Sequence, residues 1–197
     1  MNYAEEIMDL AKMNNGVVTS AQLTQLGIHR YYLKMLVDQG LLDRSGRGVY
    51  ILPRMLDDEM FNLQTRYKKG IFSHATALFL LDLTDRTPTQ CSMTFPQNYN
   101  VSAIKMENLK CYRVKDEHYD IGVITGKTPG GNKVKLYNAE RTLCDILKGR
   151  SNMEIQIVVE AFKSYAKLDE KDIPRLSDYA KLMRVEKKLR PYLEVLL

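Results

Sequence analysis

Cysteine is scarce: the 197 residues hold Cys91, Cys111 and Cys144, an odd number set far apart. That pattern excludes a disulfide framework and points to reduced thiols in a cytoplasm. Histidine is as sparse, at His29, His74 and His118, and neither residue type clusters at ligand spacing, so no metal site is expected. Long apolar runs are missing too. The stretch from Ala75 to Leu81 is broken by Asp82, far short of the roughly 18 residues a membrane span needs. The opening MNYAEEIMDL is acidic and amphipathic, unlike a secretory signal. No internal repeat is visible. The expectation is a cytoplasmic protein with no membrane partner.

A 45% apolar and 27% charged composition is that of a globular chain, and the length allows one large domain or two small ones. The formal net charge of +5 is modest, so its placement matters more than its size. Residues 1–53 are neutral: Lys12, Arg30, Lys34, Arg44 and Arg47 balance Glu5, Glu6, Asp9, Asp38 and Asp43. Three of the five acids, Glu5, Glu6 and Asp9, lie in the first ten residues, whereas Ile28 to Arg54 has five basic side chains against Asp38 and Asp43. The segment is polarised, acidic first and basic later.

Tyr3, Ile7, Leu10 and Ala11 recur at helical spacing, and Asn14-Asn15-Gly16 stops that helix. Thr19 or Ser20 then caps a short helix from Ala21 to Leu26, closed by Gly27. A third helix is predicted from His29 to Gln39, with Gly40 beyond its end. Leu41 to Leu52 reads as a hairpin around the basic, glycine-rich turn Arg44-Ser45-Gly46-Arg47-Gly48, and Pro53 ends it. This order is that of a winged helix-turn-helix.

On the third helix Leu33, Leu36 and Val37 form the packing stripe, led in by Ile28 and His29. Tyr31, Lys34, Met35 and Asp38 point away, with Arg30 and Tyr32 on the flanks. Arginine forks onto guanine, tyrosine and lysine reach phosphates, and free helix-start N–H groups favour an anion. Arg44 and Arg47 at the hairpin tip suit flanking backbone or a minor groove. The alternative at this point is a protein-interaction module whose basic residues simply solvate a surface. His29 reads as a capping or packed residue, and Tyr32 and Met35 have a packing reading.

Asp57-Asp58-Glu59 opens a further helix that Lys68-Lys69 and Gly70 close, and the acids read as first-turn capping. This helix is expected to link two domains, 1–53 and 54–197. Ser73 is expected to cap a buried helix from His74 to Leu81. Candidate strands follow at Gln90–Phe95, Leu109–Val114, Tyr119–Thr125 and Lys133–Tyr137, the last two joined by Thr128-Pro129-Gly130-Gly131-Asn132. Beyond them, Asn138 caps a helix to Lys148, another covers Asn152 to Leu168, and Asp172 caps a third with Pro174 in its first turn. A basic terminal segment holds Lys181, Arg184, Lys187, Lys188 and Arg190. The fold class is α+β, an N-terminal winged helix-turn-helix followed by a mixed domain with a small, mostly antiparallel sheet and C-terminal helices.

Catalytic signals fail one by one. Gly126-Lys127-Thr128 lacks the earlier glycine of a phosphate loop, since Ile121 stands there and Gly122 is one residue too close. Ser73-His74 are sequence neighbours and read as capping, not as a nucleophile and base. In the run Asn138-Ala139-Glu140-Arg141-Thr142-Leu143-Cys144-Asp145, the charged residues either anchor the helix by ion pairs or present a recognition surface. No enzyme, catalytic residue or cofactor is expected.

Two sets of motifs resemble AbiEi-type antitoxins. The first runs from Gly16-Val17-Val18-Thr19-Ser20-Ala21-Gln22-Leu23 through Leu26-Gly27-Ile28 and Gly40-Leu41-Leu42 to Gly46-Arg47-Gly48-Val49-Tyr50. The second comprises Phe72-Ser73-His74-Ala75-Thr76-Ala77-Leu78, Thr87-Pro88, Met93-Thr94-Phe95-Pro96 and Ala139-Glu140-Arg141-Thr142-Leu143-Cys144-Asp145. The resemblance implies the antitoxin of a bacterial type IV pair that defends against phage by abortive infection. It implies a winged helix that represses its own operon at inverted repeats in double-stranded DNA, and a second domain that neutralises a nucleotidyltransferase-like toxin without a stable complex. Carried over by position, the DNA-binding residues are Ser20, Gln22, Arg30, Tyr31, Tyr32, Lys34, Arg44 and Arg47. A monomer that binds paired repeats cooperatively is the expected assembly. The competing class is a stand-alone regulator whose second domain senses a ligand or mediates oligomerisation.

Overall fold

The computed structural model describes residues 2–102, 104, 108–149 and 151–196. The chain forms two compact units: Met1–Lys68 with Lys127–Val134, and Lys69–Gly126 with Lys135–Leu197.

The first unit begins with α1 (Tyr3–Met13), β1 (Val17–Thr19), α2 (Ser20–Gln25) and α3 (Tyr31–Asp38), followed by β2 (Asp43–Gly46), β3 (Val49–Ile51) and α4 (Glu59–Arg66). Ile7 and Ala11 from α1, Leu23 from α2 and Leu33 and Leu36 from α3 meet Val18, Ile28 and Leu42 in one buried cluster. The spacing that predicted these helices is the spacing that fills this core. Strand β3 lies between β1 and β2, antiparallel to both, with Val18 opposite Tyr50 and Arg44 opposite Tyr50 on the other side. The short strand β1 escaped the sequence reading, and it makes the wing a three-stranded sheet. A bulge between Arg44 and Gly46 leaves Ser45 unpaired in the ladder. Its hydroxyl donates to Asp57 and accepts from Asn62 Nδ2 at 2.8 Å, so the extra residue fastens the wing to the segment after it.

That fastening moves the expected boundary at residue 53. Phe61 of α4 packs on Val17, Val49 and Ile51, and Asp58 caps α4 by accepting from Phe61 N at 3.0 Å. The other oxygen of Asp58 accepts from Thr128 Oγ1 and from Asn132 Nδ2, the latter at 2.8 Å. The segment 54–68 therefore belongs to the first unit, and α4 is not a linker.

The second unit carries β4 (Ile71–Phe72), α5 (His74–Leu80), β5 (Cys91–Pro96), β6 (Leu109–Val114) and α6 (Asp116–Tyr119). Then come β7 (Val123–Lys127), β8 (Lys133–Tyr137), α7 (Ala139–Ile146), α8 (Ile155–Ala166), α9 (Ile173–Met183) and α10 (Glu186–Leu196). The sheet order is β6-β5-β4-β8-β7. The α+β class holds, with a sheet that is mixed and not mostly antiparallel. Strands β5 and β6 run parallel from Cys91↔Leu109 to Pro96↔Val114, and β4 pairs parallel with β8 at Phe72↔Leu136. Strands β4 and β5 pair antiparallel, with Ile71 opposite Thr94 and Phe72 opposite Met93. The segment 97–108 between β5 and β6 is long enough for the crossover a parallel pair needs. Helix α7 is buried from Glu140 to Ile146, and its apolar side packs with Phe162, Tyr165, Leu176 and Ala180 of the helices that follow. No helix among the described residues is long and apolar enough to cross a membrane.

Candidate nucleic-acid interface

The interface is built on the start of α2. Thr19 caps that helix: its Oγ1 accepts from Gln22 N at 3.2 Å, while Gln22 Oε1 accepts from Thr19 N at 2.7 Å. This reciprocal box satisfies two otherwise free donors, and it commits the oxygen of Gln22 to the protein itself. Gln22 is thus a capping residue before it is a DNA contact. Gly27 has φ +70°, the left-handed geometry that turns the chain from α2 towards α3, and Ile28 N donates back to Leu23 O at 2.9 Å.

A hydrogen-bonded path ties the wing to both helices. Ser20 N donates to Gly48 O in the wing turn at 2.9 Å, and Thr24 Oγ1 donates to Ser20 O at 2.9 Å. Arg30 Nη2 in turn donates to Thr24 Oγ1 at 3.4 Å. The wing turn, α2 and the start of α3 are therefore adjacent, and the sequence-predicted residues Ser20, Arg30, Arg44 and Arg47 lie along or beside this path. Arg30, Lys34, Arg44 and Arg47 are exposed, and Tyr31 is 62% exposed.

Tyr32 faces elsewhere. It is half-buried, packs with the helical core and lies 5.2 Å, centroid to centroid, from the ring of Tyr3. The start of α3 also differs from expectation. Tyr31 N donates to His29 Nδ1 at 3.2 Å, Tyr32 N to His29 O at 3.2 Å and Leu33 N to Arg30 O at 3.1 Å. These amides are spent, so a phosphate here is held by side chains and not by the helix end. His29, exposed on the surface rather than packed in the core, acts as the cap.

In the second unit the Asn138–Asp145 run is structural. Asn138 caps α7 by accepting from Arg141 N at 3.0 Å. Arg141 is wholly buried, donates from Nη1 to His118 O at 2.7 Å and to Ile121 O at 3.0 Å, and covers the Tyr137 ring at 4.2 Å. Glu140 Oε1 accepts from Tyr165 OH at 2.9 Å, and that phenol accepts from Asp172 N at 2.9 Å. Burial, then the hydrogen bond to Glu140, raises the Tyr165 phenol above its ordinary range. The Cys144 thiol is pushed up to about 12, first by burial and then by Asp145, and is inert at neutral pH. The recognition-surface alternative for this run falls away, because the residues from Glu140 to Asp145 are buried.

Ser73 occupies the cap position of α5 without a side-chain cap bond, contrary to the capping expectation. Its hydroxyl instead accepts from Thr94 Oγ1 at 2.8 Å and lies 3.0 Å from His74 Nδ1. His74 stacks on Tyr112 with ring centroids 3.5 Å apart, and burial depresses its pKa to about 4. No group of three or more metal-ligating side chains occurs among the described residues.

Residues 5–53 match the family described as "Transcriptional regulator, AbiEi antitoxin". The N-terminal resemblance holds. The match is confined to residues 5–53, and the motifs from Phe72 to Asp145 lie outside it. No curated protein matches the chain. Among solved structures it is similar to "RV2827C protein from Mycobacterium tuberculosis", with TM-score 0.57 and 16% identity, over 92% of this chain and 72% of that one. At that identity the likeness shows the fold alone.

Proposed function

We propose that this chain is an antitoxin that represses its own operon. The first unit binds inverted repeats in promoter DNA. Arg30 at the start of α3, with Tyr31 and Lys34 on it, enters or borders the major groove, while Ser20, Arg44 and Arg47 hold flanking phosphates. The observation that supports this reading is the path from Gly48 through Ser20 and Thr24 to Arg30, which gathers the exposed cations of wing and helix around one helix start. Such a module, neutral over residues 1–53, grips non-specific DNA weakly, so tight repression draws on paired repeats occupied cooperatively by a protein that is monomeric in solution.

The second unit neutralises a nucleotidyltransferase-like toxin without forming a stable complex, in the cytoplasm and in defence against phage by abortive infection. The chain performs no catalytic step and needs no cofactor. Two measurements on the full chain test the reading: a gel-shift titration on its own promoter with competitor DNA, and co-expression with the neighbouring nucleotidyltransferase-like gene. Specific retardation and restored growth are expected. Folded protein that does neither overturns the proposal.

A further inference from the structure

The second unit contains an open cleft of about 740 Å³ that the reading above leaves unused. It is lined by the end of β6, the last turn of α7 and the bend between α9 and α10, with His74 and Tyr112 among its walls. A cleft of this size falls in the range of ligand pockets and is far larger than one phosphate requires.

Its charge is lopsided. Arg113, Lys115, Lys148, Arg184 and Lys188 line it against Glu117 and Asp145 alone. The acids are already occupied. Asp145 is held by Arg141 at 3.0 Å and by Lys148 at 3.4 Å, and Glu117 lies 3.6 Å from Lys115. Lys188 Nζ donates to Leu147 O at 2.9 Å. The guanidinium groups of Arg113 and Arg184 are exposed and make no side-chain hydrogen bond or ion pair among the described residues.

Two backbone positions on the cleft add to this. Arg184 closes α9 at φ +57°, a left-handed position that glycine or asparagine fills at least cost, yet an arginine stands there with its side chain exposed. His74 adopts φ +50° where β4 passes into α5, and the buried Nδ1 of His118 on the cleft lining has no hydrogen-bond partner among the described residues. Strain kept in the backbone at a ligand-sized opening is characteristic of a site that positions something. Beside the cations stand the half-buried Val114 and the exposed Leu182, an apolar surface for the uncharged body of a ligand, backed by the buried Met183 and Val185.

We infer that this cleft binds a nucleoside triphosphate, its phosphates held by Arg113, Arg184 and Lys148 and its base laid against Leu182 and Val114. Arginine is suited to this because its planar fork bonds two phosphate oxygens at once. A single nucleotide fits better than a polynucleotide, because these cations border one cleft walled by three elements and not an extended groove.

The decisive variant is Arg184→Gly, which removes the guanidinium while relieving the left-handed strain. Equilibrium dialysis of the full chain with ATP and GTP is expected to show saturable binding. Arg184→Gly and Arg113→Ala each weaken that binding by about tenfold, while Arg184→Gly keeps or raises the thermal midpoint. The DNA-face variant Arg30→Ala binds nucleotide unchanged, which separates this inference from the repressor reading. Undiminished binding in Arg184→Gly overturns it, as does no binding at millimolar nucleotide. Inorganic pyrophosphate or a short single-stranded RNA binding as tightly as the triphosphate also overturns the nucleotide assignment.

Discussion

Arg141 and Asp145 lie one helical turn apart on α7 and meet Nε to Oδ2 at 3.0 Å, with side chains 1% and 2% exposed. The pair is embedded: Arg141 also donates to two backbone carbonyls of the segment around α6, and Asp145 also receives Lys148. An ion pair so placed contributes specificity more than net stability, because removing one partner leaves the other charged and dry.

Arg141→Ala is expected to destabilise the second unit by about 3–5 kcal/mol, whereas replacing both partners with apolar residues of similar volume costs less than that single change. Urea unfolding of the two variants measures this. A single variant as stable as the parent contradicts the structural role assigned to the run.

Thr19→Ala removes the accepting hydroxyl of the α2 capping box and is expected to cost about 1 kcal/mol. Gln22→Ala breaks the other half of the same box. Its loss is expected to show in thermal melting before it shows in DNA affinity. A Gln22 variant with parental stability and weakened promoter binding reverses that assignment.

Local chemistry was readable in the sequence; contacts across long separations were not. The stop at Asn14-Asn15-Gly16, the cap at Thr19, the turn at Gly27 and the caps at Asn138 and Asp172 all depend on residues within five positions of each other. Strands β1 and β4 are three and two residues long, too short to display an alternating pattern. The unit boundary was missed because Asp58 finds its second partners seventy or more residues later, at Thr128 and Asn132. Tyr32 and Tyr31 are sequence neighbours of the same type, and the packing of Tyr3 decides which one is left exposed. The cleft of the second unit was invisible for the same reason, since β6, α7 and the α9–α10 bend come together only in the fold.

His74 ties stability to pH. Burial lowers its pKa to about 4 in the folded chain, below the ordinary value of 6.5, with Asp145 opposing and Lys148, Lys110 and Arg141 reinforcing the shift. The unfolded state therefore binds the proton first, and the stability present above pH 6.5 is lost progressively as pH falls towards 4. The loss is expected to reach roughly 3 kcal/mol. Denaturant midpoints of the parent and His74→Gln across this range measure it, the variant showing a shallower fall. Identical pH profiles for the two proteins count against a buried neutral imidazole.

On the first unit, Arg30 just before α3 and Lys34 within it are exposed, and the fold does not depend on them for burial. Arg30→Ala and Lys34→Ala are expected to keep the parental melting temperature and to lose specific promoter retardation. Tyr32→Ala does the opposite to stability, because it strips the partner of Tyr3 from the helical core. Salt dependence then sorts the roles. A residue that touches only phosphate weakens all DNA alike and lowers the slope of log affinity against log salt by about one, whereas a base-reading arginine lowers discrimination between operator and random duplex. Arg44→Ala and Arg47→Ala on the wing belong to the first pattern and Arg30→Ala to the second. Unchanged operator affinity in the α3 variants removes the basis for the repressor reading, because no other exposed cations of the first unit stand on that helix.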